Sequence, residues 1–414
     1  MPEPVKYAFD VSVHRKRMAF ADALRAAAIA LVVFWHLASF TRPTLNGHFN
    51  APGYLGFYGV NCFFVLSGFL LAGPFLMAIL DPNIAFPSVK LFLLRRFLRI
   101  YPLYAFAVVV SAVIVAVSRT DFPSAHDIWM CLLFLQDFST GPAFKINNPL
   151  WTMPVDGVYL ALPLVAFFLV TLARPIGSRG RLIALFATLA IIVTLSLVYR
   201  YVESRHNPLA MISFQNQVVF IRNGIGMAGS FTFGVGMALI ALIMERRPKP
   251  KRAVYSGCLA LAAVLAVIIA REPLRLLAKG KVVTTVDVTR ATFLDLLAGL
   301  SVALIIFSLA EGQFPKFTAI SNSKIVRSGA ALAYSAYLFH YPIIQTVEKS
   351  LGSPRGNKAL IEVGGIALPV ILAMAYVTHR YLEAPLLALK DRQRDTVARA
   401  VRSAPAERCV LESE

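Results

Sequence analysis

The sequence predicts an all-α fold, a polytopic integral membrane protein of about ten transmembrane helices. Two observations predict it. Of 414 residues, 57% are hydrophobic and 15% are charged, whereas an ordinary soluble domain is about half apolar and a quarter charged. The apolar residues are also gathered into long runs, and a helix that crosses a bilayer needs about 20 of them. Helices suit such runs because hydrocarbon offers no partner to an unpaired backbone N–H or C=O.

Spans are expected at 20–41, 56–80, 100–118, 151–173, 182–200, 224–244, 253–270, 291–310, 329–348 and 359–382. The first rests on the run Ala23–Phe40, which follows the basic stretch His14, Arg15, Lys16, Arg17. A secretory leader would have a short apolar core and then a small-residue cleavage site. This run instead continues through Phe40 and holds Arg25 and His36, so it reads as a retained span. Later spans rest on Val108–Ser118, Val155–Ala173, Ile183–Val198, Phe231–Met244, Gly257–Ala270, Leu294–Ala310 and Ile366–Val377. Between the third and fourth, Ile128–Trp151 reads as a partly apolar re-entrant or interfacial stretch. The expected organisation is a basic N-terminus over 1–19, a membrane domain over 20–385 and a charged tail over 386–414. No repeat of fixed period is visible, and no soluble appendage is expected.

The net charge of +19 does not indicate nucleic acid. Basic surfaces that bind nucleic acid interleave aromatic residues on a polar face, whereas here Lys and Arg punctuate apolar runs. The positive-inside rule and contact with anionic membrane lipids explain the charge better. One set of loops holds Arg15–Arg17, then Lys90, Arg95, Arg96 and Arg99, then Arg174, Arg179 and Arg181, and later Arg246, Arg247, Lys316 and Arg327. With an even number of spans, both termini are expected in the cytoplasm. The segment Arg271–Arg290 runs against this scheme, because it is basic yet falls on the outer side.

The cysteines Cys62, Cys131, Cys258 and Cys409 have no CxxC spacing, so no metal or redox motif is expected. Neither a P-loop, an HExxH zinc motif nor a GxSxG elbow occurs.

Ionisable residues inside spans are costly and mark functional candidates. Arg25 and His36 are eleven residues apart, about three turns, so both project from one face of the first span about 16 Å apart. Arg25 suits a phosphate, and neutral His36 suits the removal of a proton from an alcohol. Arg95, Arg96 and Arg99 cluster at a helix entrance, and Arg grips phosphate oxygens in forked geometry. Ser67-Gly68 reads as close helix packing, not as a nucleophile. Trp151 reads either as an interfacial anchor or as a cap on an acceptor site. His340 either lines the same cavity or is a packed, hydrogen-bonded histidine.

These blocks occur in the order found in the membrane-bound acyltransferase-3 family, which the chain resembles over about residues 15–390. Arg25-x10-His36 resembles the family's first-span signature. Gly59-Val60-Asn61-Cys62-Phe63-Phe64-Val65-Leu66-Ser67-Gly68-Phe69 resembles its second-span block, and Arg95-Arg96-Phe97-Leu98-Arg99-Ile100-Tyr101-Pro102 its basic motif before the third span. Leu150-Trp151-Thr152-Met153-Pro154-Val155-Asp156 resembles a block that usually ends in Glu, and the segment after it is one residue short of the usual pattern. Tyr334-Ser335-Ala336-Tyr337-Leu338-Phe339-His340-Tyr341-Pro342 and Glu383-Ala384-Pro385 resemble the late motifs.

The resemblance implies an O-acyltransferase of the bacterial cytoplasmic (inner) membrane. It would move an acyl group, commonly acetyl, from acyl-CoA to a hydroxyl of a carbohydrate or glycoconjugate acceptor, without a metal. His36 would be the general base and Asp156 its charge partner. Arg25, Arg95, Arg96 and Arg99 would hold the donor. Trp151, Tyr337, His340 and Glu383 would line the substrate side. The rival reading is a secondary transporter or flippase that uses Arg25 and His36 as a relay; its usual pair of related halves is not visible in the sequence.

Overall fold

The computed structural model of the chain describes residues 11–45, 48–49, 53–118, 123–138, 141, 145–155, 157, 160–173, 175–207, 219–245, 250–278, 285–310 and 312–388. Among these, twelve helices of seven residues or more follow one another: α1 (Val11–Thr41), α2 (Gly53–Leu80), α3 (Val89–Ser118), α4 (Ala125–Leu132), α5 (Ala161–Ala173), α6 (Ser178–His206), α7 (Gly224–Glu245), α8 (Arg252–Ala278), α9 (Thr285–Ala310), α10 (Pro315–Ser321), α11 (Lys324–Ser350) and α12 (Asn357–Thr378). The one sheet among the described residues is a two-residue antiparallel ladder, Thr44–Leu45 against His48–Phe49. The protein is all-helical and polytopic, as its apolar runs predict.

Eight of these helices are long and apolar enough to cross a membrane. A helix stands at each of the ten expected spans, and the two that miss the criterion do so for visible reasons. The span expected at 151–173 is a helix only over Ala161–Ala173, 13 residues. The residues before it, Asn148–Trp151 and Thr152–Val155, form separate single turns packed into the bundle. Helix α11 has 27 residues, about 40 Å of rise. Its inward face spends apolar character on Ser335, Tyr337, His340 and Glu348, all buried.

Two further expectations are corrected. The third span begins at Val89, not near 100, so Arg95, Arg96 and Arg99 lie within helix α3 and not ahead of it. The basic segment 271–290 is not a loop. Helix α8 runs to Ala278 and α9 begins at Thr285, so most of the segment is helix.

Helix α2 is the centre of the bundle and packs on α1, α7 and α9. Helix α11 packs on α1, α3 and α12. The α2–α7 crossing is close because both helices are bare where they meet. A Cβ on Gly68 would collide with the Phe231 carbonyl oxygen, and one on Gly234 with the Val65 carbonyl oxygen. Gly68 is therefore a packing element, as small residues in membrane helices usually are. The outward faces carry exposed Val113, Leu164, Phe168, Ile183 and Ile361, which suits contact with lipid chains.

Candidate active site

Helices α1, α2 and α11 build the site together. A side chain at Gly56 would overlap the Trp35 indole, and one at Gly59 the Ala28 carbonyl. Two glycines thus let α2 lie directly against the α1 face that carries Arg25 and His36. On the other side, the late motif of α11 is explained residue by residue. The Tyr334 hydroxyl donates to the Ile100 carbonyl at 2.7 Å, fastening α11 to α3. The Ser335 hydroxyl donates to Glu383 Oε2 at 3.1 Å. The Tyr337 hydroxyl lies 2.8 Å from Thr152 Oγ1 and donates to the Pro149 carbonyl at 3.1 Å.

The histidine of that motif, His340, meets His36. His340 Nε2 lies 3.0 Å from His36 Nδ1, and the two rings are 4.8 Å apart at 57°. His36 Nδ1 also lies 3.0 Å from the Val32 carbonyl. Trp35 and Tyr341 pack edge-on against the His36 ring at 4.4 and 5.2 Å. His36 borders a narrow cavity, of about 20 Å³, with Trp35, Phe57, Asn148, Trp151 and Tyr337. Trp151 is buried there, so it is part of the cavity wall and not an exposed interfacial anchor. His340 is wholly buried and stands behind His36, not on this cavity.

A second, larger cavity, of about 140 Å³, is lined by Arg25, Arg96, Arg99, Ser67, Tyr334 and Glu383 among others. The Arg25 guanidinium is held by Asp22 Oδ1 at 2.9 Å. Arg99 faces the cavity without a hydrogen bond to any described residue. Arg95, one step from Arg96, does not border it. Glu383 is fixed by the Ser335 hydroxyl and by His379 Nδ1, 3.0 Å from Oε2. It sits in a π-helical turn, His379–Glu383, that extends α12, and such turns often re-aim a side chain at functional sites. The two cavities adjoin: Val60 and Tyr337 line both. Arg25 and His36, on one face of α1, therefore open onto adjacent spaces.

The model of one protein family, described as an acyltransferase domain, matches residues 18–379. That stretch is most of the chain and holds both cavities apart from Glu383. The chain belongs to the acyltransferase-3 family. No curated protein and no solved structure matches it.

Several residues of this acyltransferase escaped the sequence reading. Asp22, the partner of Arg25, lies three residues before it, a spacing that brings side chains together on a helix. Asn147 is fully buried and donates to Ser111 Oγ at 3.1 Å and to the Leu338 carbonyl at 2.7 Å. A buried ionic cluster joins α6, the start of α7 and α9. Arg200 Nη1 and Arg222 Nε both donate to Asp295 Oδ2, at 3.3 and 2.8 Å. The Arg222 guanidinium also lies 4.5 Å over the Phe57 ring, and Phe57 lines the His36 cavity. Arg200 and Asp295 sit within apolar runs, so the cost of burying charge was the signal that could have found them. Asp156 lies outside the described residues. Among the described residues, no group of three His, Cys, Asp or Glu side chains is arranged to hold a metal ion.

Proposed function

We propose that this acyltransferase moves an acyl group, acetyl in the simplest case, from cytoplasmic acyl-CoA to a hydroxyl of a carbohydrate or glycoconjugate acceptor. The observation that supports this most directly is the junction of two unlike cavities at Val60 and Tyr337. One is rich in arginine and suits a donor with several phosphates. The other is narrow, walled by aromatic rings around a histidine, and suits the entry of an acceptor hydroxyl.

In this reading the nucleotide end of the donor is bound by Arg25, Arg96 and Arg99, and the acyl end reaches past Tyr337 toward His36. Arg25 is about 16 Å from His36 along the helix, too far to share one carbonyl oxygen with it. Its proposed role is therefore to grip the donor, not to stabilise the oxyanion. His36 takes the proton of the acceptor hydroxyl as the oxygen attacks the thioester carbonyl. The C–S bond then breaks, and the coenzyme A thiolate leaves with the proton returned by the imidazolium. A thioester is already activated, so the scheme calls on no metal. Asp156 is the proposed charge partner of the imidazolium, Trp151, Tyr337 and Glu383 are proposed to line the substrate side, and His340, expected there from the sequence, instead backs His36. The proposed location is a bacterial cytoplasmic membrane with both termini inside.

The test uses purified protein in lipid nanodiscs with acetyl-CoA and glycan acceptors drawn from the producing cell's surface. Coenzyme A release and acetyl transfer are followed together. His36→Ala is expected to lower the rate by at least about a hundredfold while the protein stays monodisperse. Acceptor flux in proteoliposomes without consumption of acetyl-CoA would favour the transporter reading instead.

A further inference from the structure

We infer that His340 is a positioning residue that fixes the tautomer of His36, leaving His36 Nε2 as the basic nitrogen at the cavity. The inference deepens the proposed function and rests on it for its catalytic meaning, although the tautomer itself follows from geometry alone.

The argument begins at the far end of the pair. His340 Nδ1 lies 2.7 Å from the Tyr337 carbonyl oxygen and 3.3 Å from that of Ala336. A carbonyl oxygen can only accept, so the nitrogen facing two of them carries the proton. In a neutral ring the other nitrogen, Nε2, then holds a lone pair and needs a donor. The group it faces is His36 Nδ1, at 3.0 Å. His36 Nδ1 must therefore carry a proton as well. The Val32 carbonyl makes the same demand independently, because it too lies 3.0 Å from that nitrogen and can only accept. Every other assignment of neutral rings sets lone pair against lone pair, or leaves a buried carbonyl facing one. With Nδ1 protonated, the lone pair of neutral His36 is on Nε2.

This matters because an isolated histidine side chain favours the opposite tautomer, with the proton on Nε2. A general base with its proton on the wrong nitrogen cannot act until it rearranges. One ring nitrogen is commonly set by the hydrogen bond that the other makes. Here the partner is a second imidazole. His340 is wholly buried and off the cavity, so it touches His36 and not the substrate.

The experiment uses the full chain in nanodiscs with 15N-labelled histidine. The signals of His36 and His340 are assigned by loss in His36→Gln and His340→Gln, and long-range 15N–1H correlations report the tautomer. The expected spectrum shows His36 protonated at Nδ1 and bare at Nε2. His340→Phe removes the acceptor and is expected to mix the two His36 tautomers. It should lower kcat by about tenfold or more and leave the KM for acyl-CoA within about twofold. In His340→Gln the side-chain oxygen can still accept from His36, so most of kcat should return. A wild-type spectrum with His36 protonated at Nε2 overturns the inference, and so does an unchanged kcat in folded His340→Phe. If His340→Phe does not fold, the wild-type spectrum and the His340→Gln rate still decide. The two readings fail separately. An active His36→Ala removes the base while the tautomer stands, whereas an Nε2-protonated His36 in an enzyme that His36→Ala kills removes only the role of His340.

Discussion

Asn147 donates a 2.7 Å hydrogen bond to the carbonyl oxygen of Leu338, the one carbonyl in that turn of α11 that Pro342 leaves without a helical partner. Proline has no N–H, so the residue four positions before it loses its intrahelical bond. In a buried helix that loss must be made good, and Asn147 does so from the turn that leads to Trp151. The proline and the loop are thus one device, joining the His340 helix to the wall of the His36 cavity.

The device is testable by a double-mutant cycle. Asn147→Ala strands the Leu338 carbonyl and should destabilise the protein by about 1–3 kcal/mol. Pro342→Ala restores an N–H at that position. In the Pro342→Ala background the same Asn147→Ala change should cost less, with a coupling of at least about 0.5 kcal/mol. Thermal unfolding of the four proteins in one detergent measures it. Additive losses would mean that Asn147 serves only Ser111.

The basic cluster of α3 should divide by position. Arg96→Ala and Arg99→Ala should raise the KM for acyl-CoA more than that for the acceptor, and Lys at either position should rescue only in part, because a point charge replaces a fork. Arg95→Ala, off the cavity, should change neither KM by more than about twofold. Equal effects of all three substitutions on donor and acceptor would assign the cluster to membrane anchoring.

Asp156→Asn separates a charge partner from a helix cap. If the carboxylate stabilises the imidazolium, the rate should fall on the order of a hundredfold, and Asp156→Glu should keep part of it, since the family usually has Glu there. Asn is also a good cap. A fully active Asp156→Asn enzyme would therefore remove Asp156 from the catalytic set.

The ionic cluster should matter most for folding. Asp295→Asn leaves Arg200 and Arg222 buried opposite a neutral side chain, and breaking a buried pair from one side costs about 3–5 kcal/mol. Loss of monodisperse protein on mild heating would register it. A variant as stable as the parent would show that the two arginines are balanced from elsewhere.

Much of this was legible in the sequence because membrane folds write themselves in long apolar runs. The all-helical bundle follows from those runs, and Arg25 and His36 stand out because charge inside them is costly. The exceptions have physical causes. The 151–173 run is mostly apolar, yet its first residues lie in separate single turns packed into the bundle, and apolarity alone does not distinguish a packed turn from a span. The α3 start carries no local mark, because arginines within a helix resemble arginines ahead of one. The segment 271–290 looked like a loop because helices that outrun the bilayer turn polar. The His36–His340 contact joins residues 304 positions apart, and no local pattern encodes it. Asn147 was overlooked because its significance depends on a proline in another helix.

Val60 and Tyr337, the shared wall of the two cavities, have a bearing on bioenergetics. An enzyme that takes its donor from one face of a membrane and its acceptor from the other needs a passage through the bilayer. A continuous column of water in that passage would let protons run down their gradient. An apolar side chain and a phenol tied to Thr152 and Pro149 stand where the two cavities adjoin, in the way of such a column. Under the proposed function, with an acceptor on the face opposite the donor, such a partition would let an acyl group be handed across while the proton-motive force stays insulated.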